Sequence, residues 1–198
     1  AAAGDLDDDQ DIDVLILTRK GRVHIASNLR GGHYQVQPAI EGAPENSFEA
    51  LLGDFDNDGD LDAAIAGPSG AGVLRNEGSL KLVPAGDAAI PGAILWPSPG
   101  AVTLWARDLD NDGRLDLIAA RDGETIFALN DGDMKFSIEP DPVRVLNEAH
   151  VTPAAILLAD DDGKLDILAS EGSLGIARNI GRTGASLVLH LTGVENNV

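Results

Sequence analysis

A chain of 198 residues with 43% hydrophobic content can bury a sizeable core, but its formal charge of −19 leaves no basic footprint for binding phosphates, so nucleic acid is excluded as a partner. It has no cysteine, which excludes disulfides and thiolate metal sites, and no run of about 18 apolar residues that could span a membrane. Aromatics are only 4% while glycines number 23, a balance that favours short, closely packed strands over long helices.

The opening "AAAGDLDDDQ" shows neither Met nor a signal-peptide pattern and reads as a mature or trimmed product. An acidic stretch, "DLDDDQDID", begins at Asp5 and runs into the strand-like "VLILT". The same crowding returns as "DFDNDGDLD" at Asp54, "DLDNDGRLD" at Asp108 and "LADDDGKLD" at Leu158. A second landmark keeps the register: Asn28, Asn76, Asn130 and Asn179 each follow an apolar segment and precede a glycine, and are expected to serve tight hairpin turns that need positive φ. A period near 50 residues marks a solenoid, propeller or array.

Within the second copy, "FEALLGD", "AAIAG", "GVLRN" and "LKLVPA" are short segments separated by turn residues. Four strands per repeat of this length describe a propeller blade, whereas a calcium-binding β-helix would repeat about every nine residues. The expected fold is all-β: a β-propeller of four-stranded blades in a single domain or arc over residues 1–198, with repeats at 1–46, 47–98, 99–148 and 149–198.

With loop positions counted from 1 to 9, carboxylates at 1, 3, 5 and 9 and glycine at 6 converge on one point as the backbone curls. Asp54, Asp56, Asp58 and Asp62 fit this fully around Gly59, and Asp108, Asp110, Asp112 and Asp116 repeat it around Gly113. Position 7 lends its main-chain carbonyl, from Asp11, Asp60 and Arg114. The first loop keeps Asp5, Asp7, Asp9 and Asp13 but has Gln10 where glycine belongs, a strain of about 1 kcal/mol. The fourth has Leu158 at position 1, leaving Asp160, Asp162 and Asp166, with Asp161 as a substitute ligand. Calcium is the natural occupant, a hard cation taking six to eight oxygens in flexible geometry. Two to three sites are expected, with the fourth degenerate. An EF-hand would need Glu at position 12 and a following helix, but that position holds Ile16, Ile65, Ala119 and Ala169. Solvated Asp-Gly turns would explain one copy. They do not explain three near-complete ones, which together with the fourth hold 19 of the 33 acidic residues.

The stretches "GDFDNDGDLDAAIAG" and "RDLDNDGRLDLIAA", with "LRNEG" and "ALNDG" downstream, resemble FG-GAP/VCBS-type repeats, the calcium-binding blades of integrin α-subunits and many secreted bacterial proteins. The resemblance implies calcium between the first and second strands of each blade, and an exported protein (extracellular, periplasmic or at the cell surface) that binds other molecules. The tail "NIGRTGASLVLHLTGVENN" resembles the start of an ASPIC-type domain, though "ASLVLHLTG" reads equally as the last strand of the fourth repeat.

The first blade has only "AAAG" ahead of its loop. Either "SLVLHL" closes the ring beside that short strand, or the four blades are an arc of a larger propeller. His24, His33, His150 and His190 form no metal or catalytic pattern, and no nucleophile elbow or phosphate loop is present, so no enzymatic activity is expected. The segment at 86–105 breaks the repeat and carries both tryptophans, which makes Trp96 a candidate ligand contact, with gap-filling between blades as the alternative. The functional expectation is a calcium-stiffened module for protein interaction or assembly. The alternative is a glycan-binding module or the non-catalytic part of a carbohydrate enzyme, against which stands the lack of an aromatic repeated in every blade.

Overall fold

The computed structural model describes residues 1–67, 70–85, 103–121, 124–138, 152–157, 165–170, 174–179 and 187–190. Among them there is no helix. Blade 1 holds strands β1 (Ala2–Gly4), β2 (Asp13–Leu17), β3 (Val23–Asn28) and β4 (Tyr34–Val36), and blade 2 holds β5 (Glu49–Gly53), β6 (Asp62–Gly67), β7 (Gly70–Asn76) and β8 (Leu82–Pro84). Blade 3 holds β9 (Thr103–Arg107), β10 (Asp116–Arg121), β11 (Glu124–Asn130) and β12 (Phe136–Ile138). Blade 4 holds β13 (Thr152–Leu157), β14 (Asp166–Ser170), β15 (Leu174–Asn179) and β16 (Leu187–His190).

Each set of four is an antiparallel meander with its strands in sequence order. β1 lies beside β5, β5 beside β9, and β13 against β10 and β11, so the sheets stack face to face with their first strands together. This is a β-propeller architecture. One register recurs in all four blades. The last Asp of the acidic loop opens the second strand opposite the residue just before the loop, in the pairs Gly4–Asp13, Gly53–Asp62, Arg107–Asp116 and Leu157–Asp166.

The core lies between blades rather than inside any one of them. Leu6, Leu15, Val23 and Ile25 of blade 1 pack on Ala50, Ala63, Ile65, Leu74 and Leu82 of blade 2. The opposite face of blade 2 supplies Phe55, Ala64, Ala66, Ala71 and Val73 to a second cluster with Leu104, Leu117, Ala119, Ala128, Met134 and Phe136 of blade 3. β6 is therefore covered on both sides. That is why "DAAIAG" is apolar without alternating, and why alanine suits it where sheets approach closely. Phe55 and Phe136 meet edge to face across the interface, with ring centroids 6.2 Å apart.

Two expectations change here. Among the described residues β16 pairs with β15 inside its own blade and β1 pairs only with β2, so Leu187–His190 of "SLVLHL" does not close a ring beside the first strand. For the same reason the likeness of the tail to an ASPIC-type domain is not borne out, because Leu187–His190 is the fourth strand of blade 4. The short first strand is as expected: β1 has 3 residues against 5 in β5.

Candidate metal centres in the blade loops

The acidic loops join the first strand of a blade to the second, and three of them lie within the described residues. Their fold follows from the aspartates themselves. At position 1, Asp54 accepts hydrogen bonds from the amides of Asp58 and Gly59, both at 3.1 Å, which curls the chain around it. Asp5 does the same for Asp9 (3.2 Å) and Gln10 (2.8 Å), and Asp108 for Asp112 (3.1 Å) and Gly113 (2.9 Å). At position 5, Asp9, Asp58 and Asp112 each accept the amide two residues on, at 2.9 Å.

This curl needs left-handed backbone twice per loop. Position 6 has φ of 69° at Gln10, 101° at Gly59 and 87° at Gly113, so Gln10 does adopt the strained conformation its place requires. Position 4 has φ of 59°, 61° and 59° at Asp8, Asn57 and Asn111, residue types that tolerate it. Neighbouring loops touch through position 4. Asn57 Nδ2 donates to Gly113 O at 3.1 Å, while Asp8 and Asp60 share a hydrogen bond between carboxyl groups that pushes the Asp60 pKa up.

At position 9 the aspartates are buried and held by the main chain. Asp62 accepts Phe55 N (2.9 Å) on one oxygen and Asn76 N (2.8 Å) on the other. Asp13 holds Leu6 N (3.0 Å) and Asn28 N (2.8 Å), and Asp116 holds Leu109 N and Asn130 N, both at 2.8 Å. Burial pushes Asp62 up to about 6 and Asp116 up to about 7, outweighing the amide hydrogen bonds that favour the ionised form.

Position 3 carries the signature of a cation site. Oδ1 of Asp7, Asp56 and Asp110 is buried without a hydrogen-bond partner, the same atom in each of the three loops. Burial raises the pKa of all three, and neighbouring carboxylates raise it further. An oxygen withdrawn from water and aimed among like charges is costly unless a positive ion meets it. Ligand atoms of Asp5, Asp7 and Asp13, of Asp54, Asp56 and Asp58, and of Asp108, Asp110 and Asp116 lie within 4.8 Å of one another. An all-oxygen donor set of this kind fits calcium. Asp166 is buried at the start of β14, whereas Asp160, Asp161 and Asp162 lie outside the described residues, as does Trp96.

Three features were not legible in the sequence. Each described loop holds one guanidinium: Arg30 pairs with Asp11, Arg75 with Asp56 at 3.0 Å, and Arg114 with Asp112. At position 7, therefore, Asp11 and Arg114 bring side chains into the loop as well as carbonyls. The landmark asparagines are a correction, since none of Asn28, Asn76 and Asn130 has positive φ, which falls instead on residues of the turns that follow. Asn76 Nδ2 donates to Leu6 O of blade 1 (3.0 Å) and to Leu61 O (3.1 Å). Asn130 Nδ2 donates to Phe55 O of blade 2 (2.7 Å) and to Leu115 O (3.1 Å). Asp and Asn thus alternate with the position-2 peptide in a hydrogen-bonded chain from Asp13 to Asp116 that crosses two blade interfaces.

Two predictions follow directly. Replacing Asn130 with Ala leaves Phe55 O without that buried donor and is expected to lower stability by about 1–3 kcal/mol in denaturant unfolding. In cation-free buffer the raised values at Asp62 and Asp116 mean that the folded protein binds more protons than the unfolded chain above about pH 4. Their contribution is present in acid and is lost as pH rises through about 6 and about 7. The cation-free unfolding midpoint should therefore fall across that window, and a midpoint that climbs from pH 5 to pH 8 would contradict the assignment.

Among the described residues no helix is long and apolar enough to cross a membrane. No match is found among curated proteins. A solved structure of an Agrocybe aegerita lectin, described as the basis of specific recognition of non-reducing terminal N-acetylglucosamine, superposes with a TM-score of 0.65 at 17% identity. The superposition takes in 98% of this chain and 51% of that one, so this chain spans about half its length. The FG-GAP-like repeat profile matches residues 5–65 and 108–169. Those two stretches start at the acidic loops of blades 1 and 3 and together take in more than half of the sequence, and on that ground the chain belongs to the FG-GAP-like repeat family.

Proposed function

We propose that the chain is a calcium-stabilised, non-enzymatic β-propeller module that binds another protein outside the cytoplasm. The observation that carries the calcium reading is the orphaned Oδ1 of Asp7, Asp56 and Asp110, repeated at the same place in three loops. Asp5, Asp7, Asp9 and Asp13 would hold one ion, Asp54, Asp56, Asp58 and Asp62 a second, and Asp108, Asp110, Asp112 and Asp116 a third, with the carbonyls of Asp11, Asp60 and Arg114 completing the sets. Bound calcium supplies the positive charge that lets these carboxylates stay ionised side by side. Millimolar calcium is an extracellular condition, and extracellular calcium modules bind it at about 10⁻⁴–10⁻³ M.

Protein binding is favoured over glycan binding by where the aromatics sit. Phe55 and Phe136 are buried in the interface of blades 2 and 3, Phe127 is buried too, and Tyr34 and Phe48 are the exposed ones among the described residues, so no sugar-stacking ring recurs blade by blade among them. The glycan reading is kept because the lectin superposes on nearly the whole chain.

The test is to immobilise the protein with calcium, pass over it extract from its native source and an array of glycans ending in N-acetylglucosamine, and elute with chelator. A specific protein released by chelator supports the first reading. Retention of the glycans alone replaces it with the second, and a folded bait that retains neither rejects both.

A further inference from the structure

The three guanidiniums at the acidic loops are not equivalent. Arg30 pairs with Asp11, whose side chain lies outside the set at positions 1, 3, 5 and 9, and its Nη2 donates to Asp9 O at 2.8 Å. Arg114 pairs with Asp112 at position 5 but is anchored through Nε, which donates to Asn130 O. Both are thereby tied to the main chain of their own repeats. Arg75 differs on each count. It reaches in from β7, meets the position-3 carboxylate, and is held by charge alone. Its Nε lies 3.0 Å from Asp56 Oδ2, yet among the described residues that buried nitrogen has no hydrogen-bond partner. The other oxygen of the same carboxylate, Oδ1, is also buried and unpartnered. A permanent ion pair withdrawn from water needs good geometry and further hydrogen bonds to offset its desolvation, and this pair has neither.

We propose, on the strength of the calcium reading of these loops, that Arg75 is a displaceable counter-cation of the second loop. Without calcium its guanidinium neutralises Asp56. Calcium taken up by Asp56 replaces that charge and repels the guanidinium, which is driven out of the loop. Arg75 has a place to go. Its side chain is 40% exposed and lines a groove of about 430 Å³ between blades 2 and 3. Across that groove Asp133 offers a carboxylate, and its exposed pairing with Lys135, at 3.9 Å, is too loose to hold it. Filling the second loop therefore moves one positive charge from the loop to the surface shared by blades 2 and 3. Arg30 and Arg114 cannot respond in this way, because their main-chain hydrogen bonds keep them in place.

The test reads two loops separately through the glycine at position 6. Calcium is titrated into the protein while the amide NMR signals of Gly59 and Gly113 are followed together with the side-chain Nε–H signal of Arg75. The expected result is an Arg75 signal that shifts in step with Gly59. Arg75→Gln should lower the calcium concentration at the Gly59 midpoint about fivefold, the factor that corresponds to an exposed ion pair of about 1 kcal/mol, and leave the Gly113 midpoint unchanged. Arg75→Lys keeps the charge and should stay near the native midpoint. An Arg75 signal indifferent to calcium, or a Gly59 midpoint that Arg75→Gln leaves in place or raises, overturns the proposal while calcium binding itself stands. A Gly59 signal that does not respond to millimolar calcium removes the calcium reading of this loop, and the proposal with it. The Arg75 signal needs no variant, so it decides the matter even if Arg75→Gln does not fold.

Discussion

Removing divalent cations should lower the unfolding midpoint by roughly 5–10 °C for each occupied loop, and calcium should restore it. The size follows from mass action. A ligand held only by the folded chain at a hundredfold excess over its Kd contributes about 2.7 kcal/mol, and each kcal/mol moves the midpoint of a protein of this length by about 2–4 °C. The physical source is the position-3 carboxylate, whose buried oxygen has no partner in any of the three loops. Differential scanning calorimetry in chelator and in calcium measures the effect, with magnesium as the control, since its strict octahedron suits these flexible loops less well. An unchanged midpoint would leave the acidic loops as solvated turns and remove the basis of the functional proposal.

The second large effect separates two aspartates of one loop. Asp62→Ala removes the acceptor of two buried amides, Phe55 N and Asn76 N, and is expected to cost roughly 3–5 kcal/mol even in chelator. Asp56→Asn should be neutral or stabilising in chelator, because it discharges a buried, unpartnered oxygen. What it loses there is an ion pair with Arg75, whose side chain is 40% exposed, and such pairs contribute at most about 1 kcal/mol. In calcium the order changes, since Asp56→Asn forfeits the gain from its loop. Denaturant unfolding of both variants in both buffers forms the required cycle. If Asp62→Ala is harmless in chelator, the main-chain role assigned to position 9 is wrong.

The parts of this structure that could be read from the sequence are those governed by local rules. Alternating aspartates around Gly59 and Gly113 announce a curled oxygen-lined loop, and the apolar runs after them announce strands, because both depend on residues within a few positions of one another. The period then supplied the propeller. What escaped are roles set by partners far along the chain. Asn130 looked like a turn residue because Gly132 follows it, yet its amide serves Phe55, 75 positions away. Arg75 lies on β7 with nothing nearby in sequence to mark it as the companion of Asp56. At position 9 a second duty escaped, because the letter that marks a candidate ligand does not show that its carboxylate also accepts two buried amides. The first strand, by contrast, was legible as short.

The hydrogen-bonded chain that runs from Asp13 through Leu6, Asn76, Asp62, Phe55 and Asn130 to Asp116 also bears on what counts as one piece of this protein. Copying is done repeat by repeat, but cohesion is not. A single repeat cut free would hold a complete acidic loop whose second residue has lost its acceptor role, and would bare both apolar faces of its central strand. Two adjacent repeats keep one interface whole, with its cluster, its asparagine and its carbonyl. Only in a trio does one repeat have both faces covered, so the smallest portion able to stand alone is expected to be three repeats, and a gene trimmed to a single motif would encode a sequence without a structure.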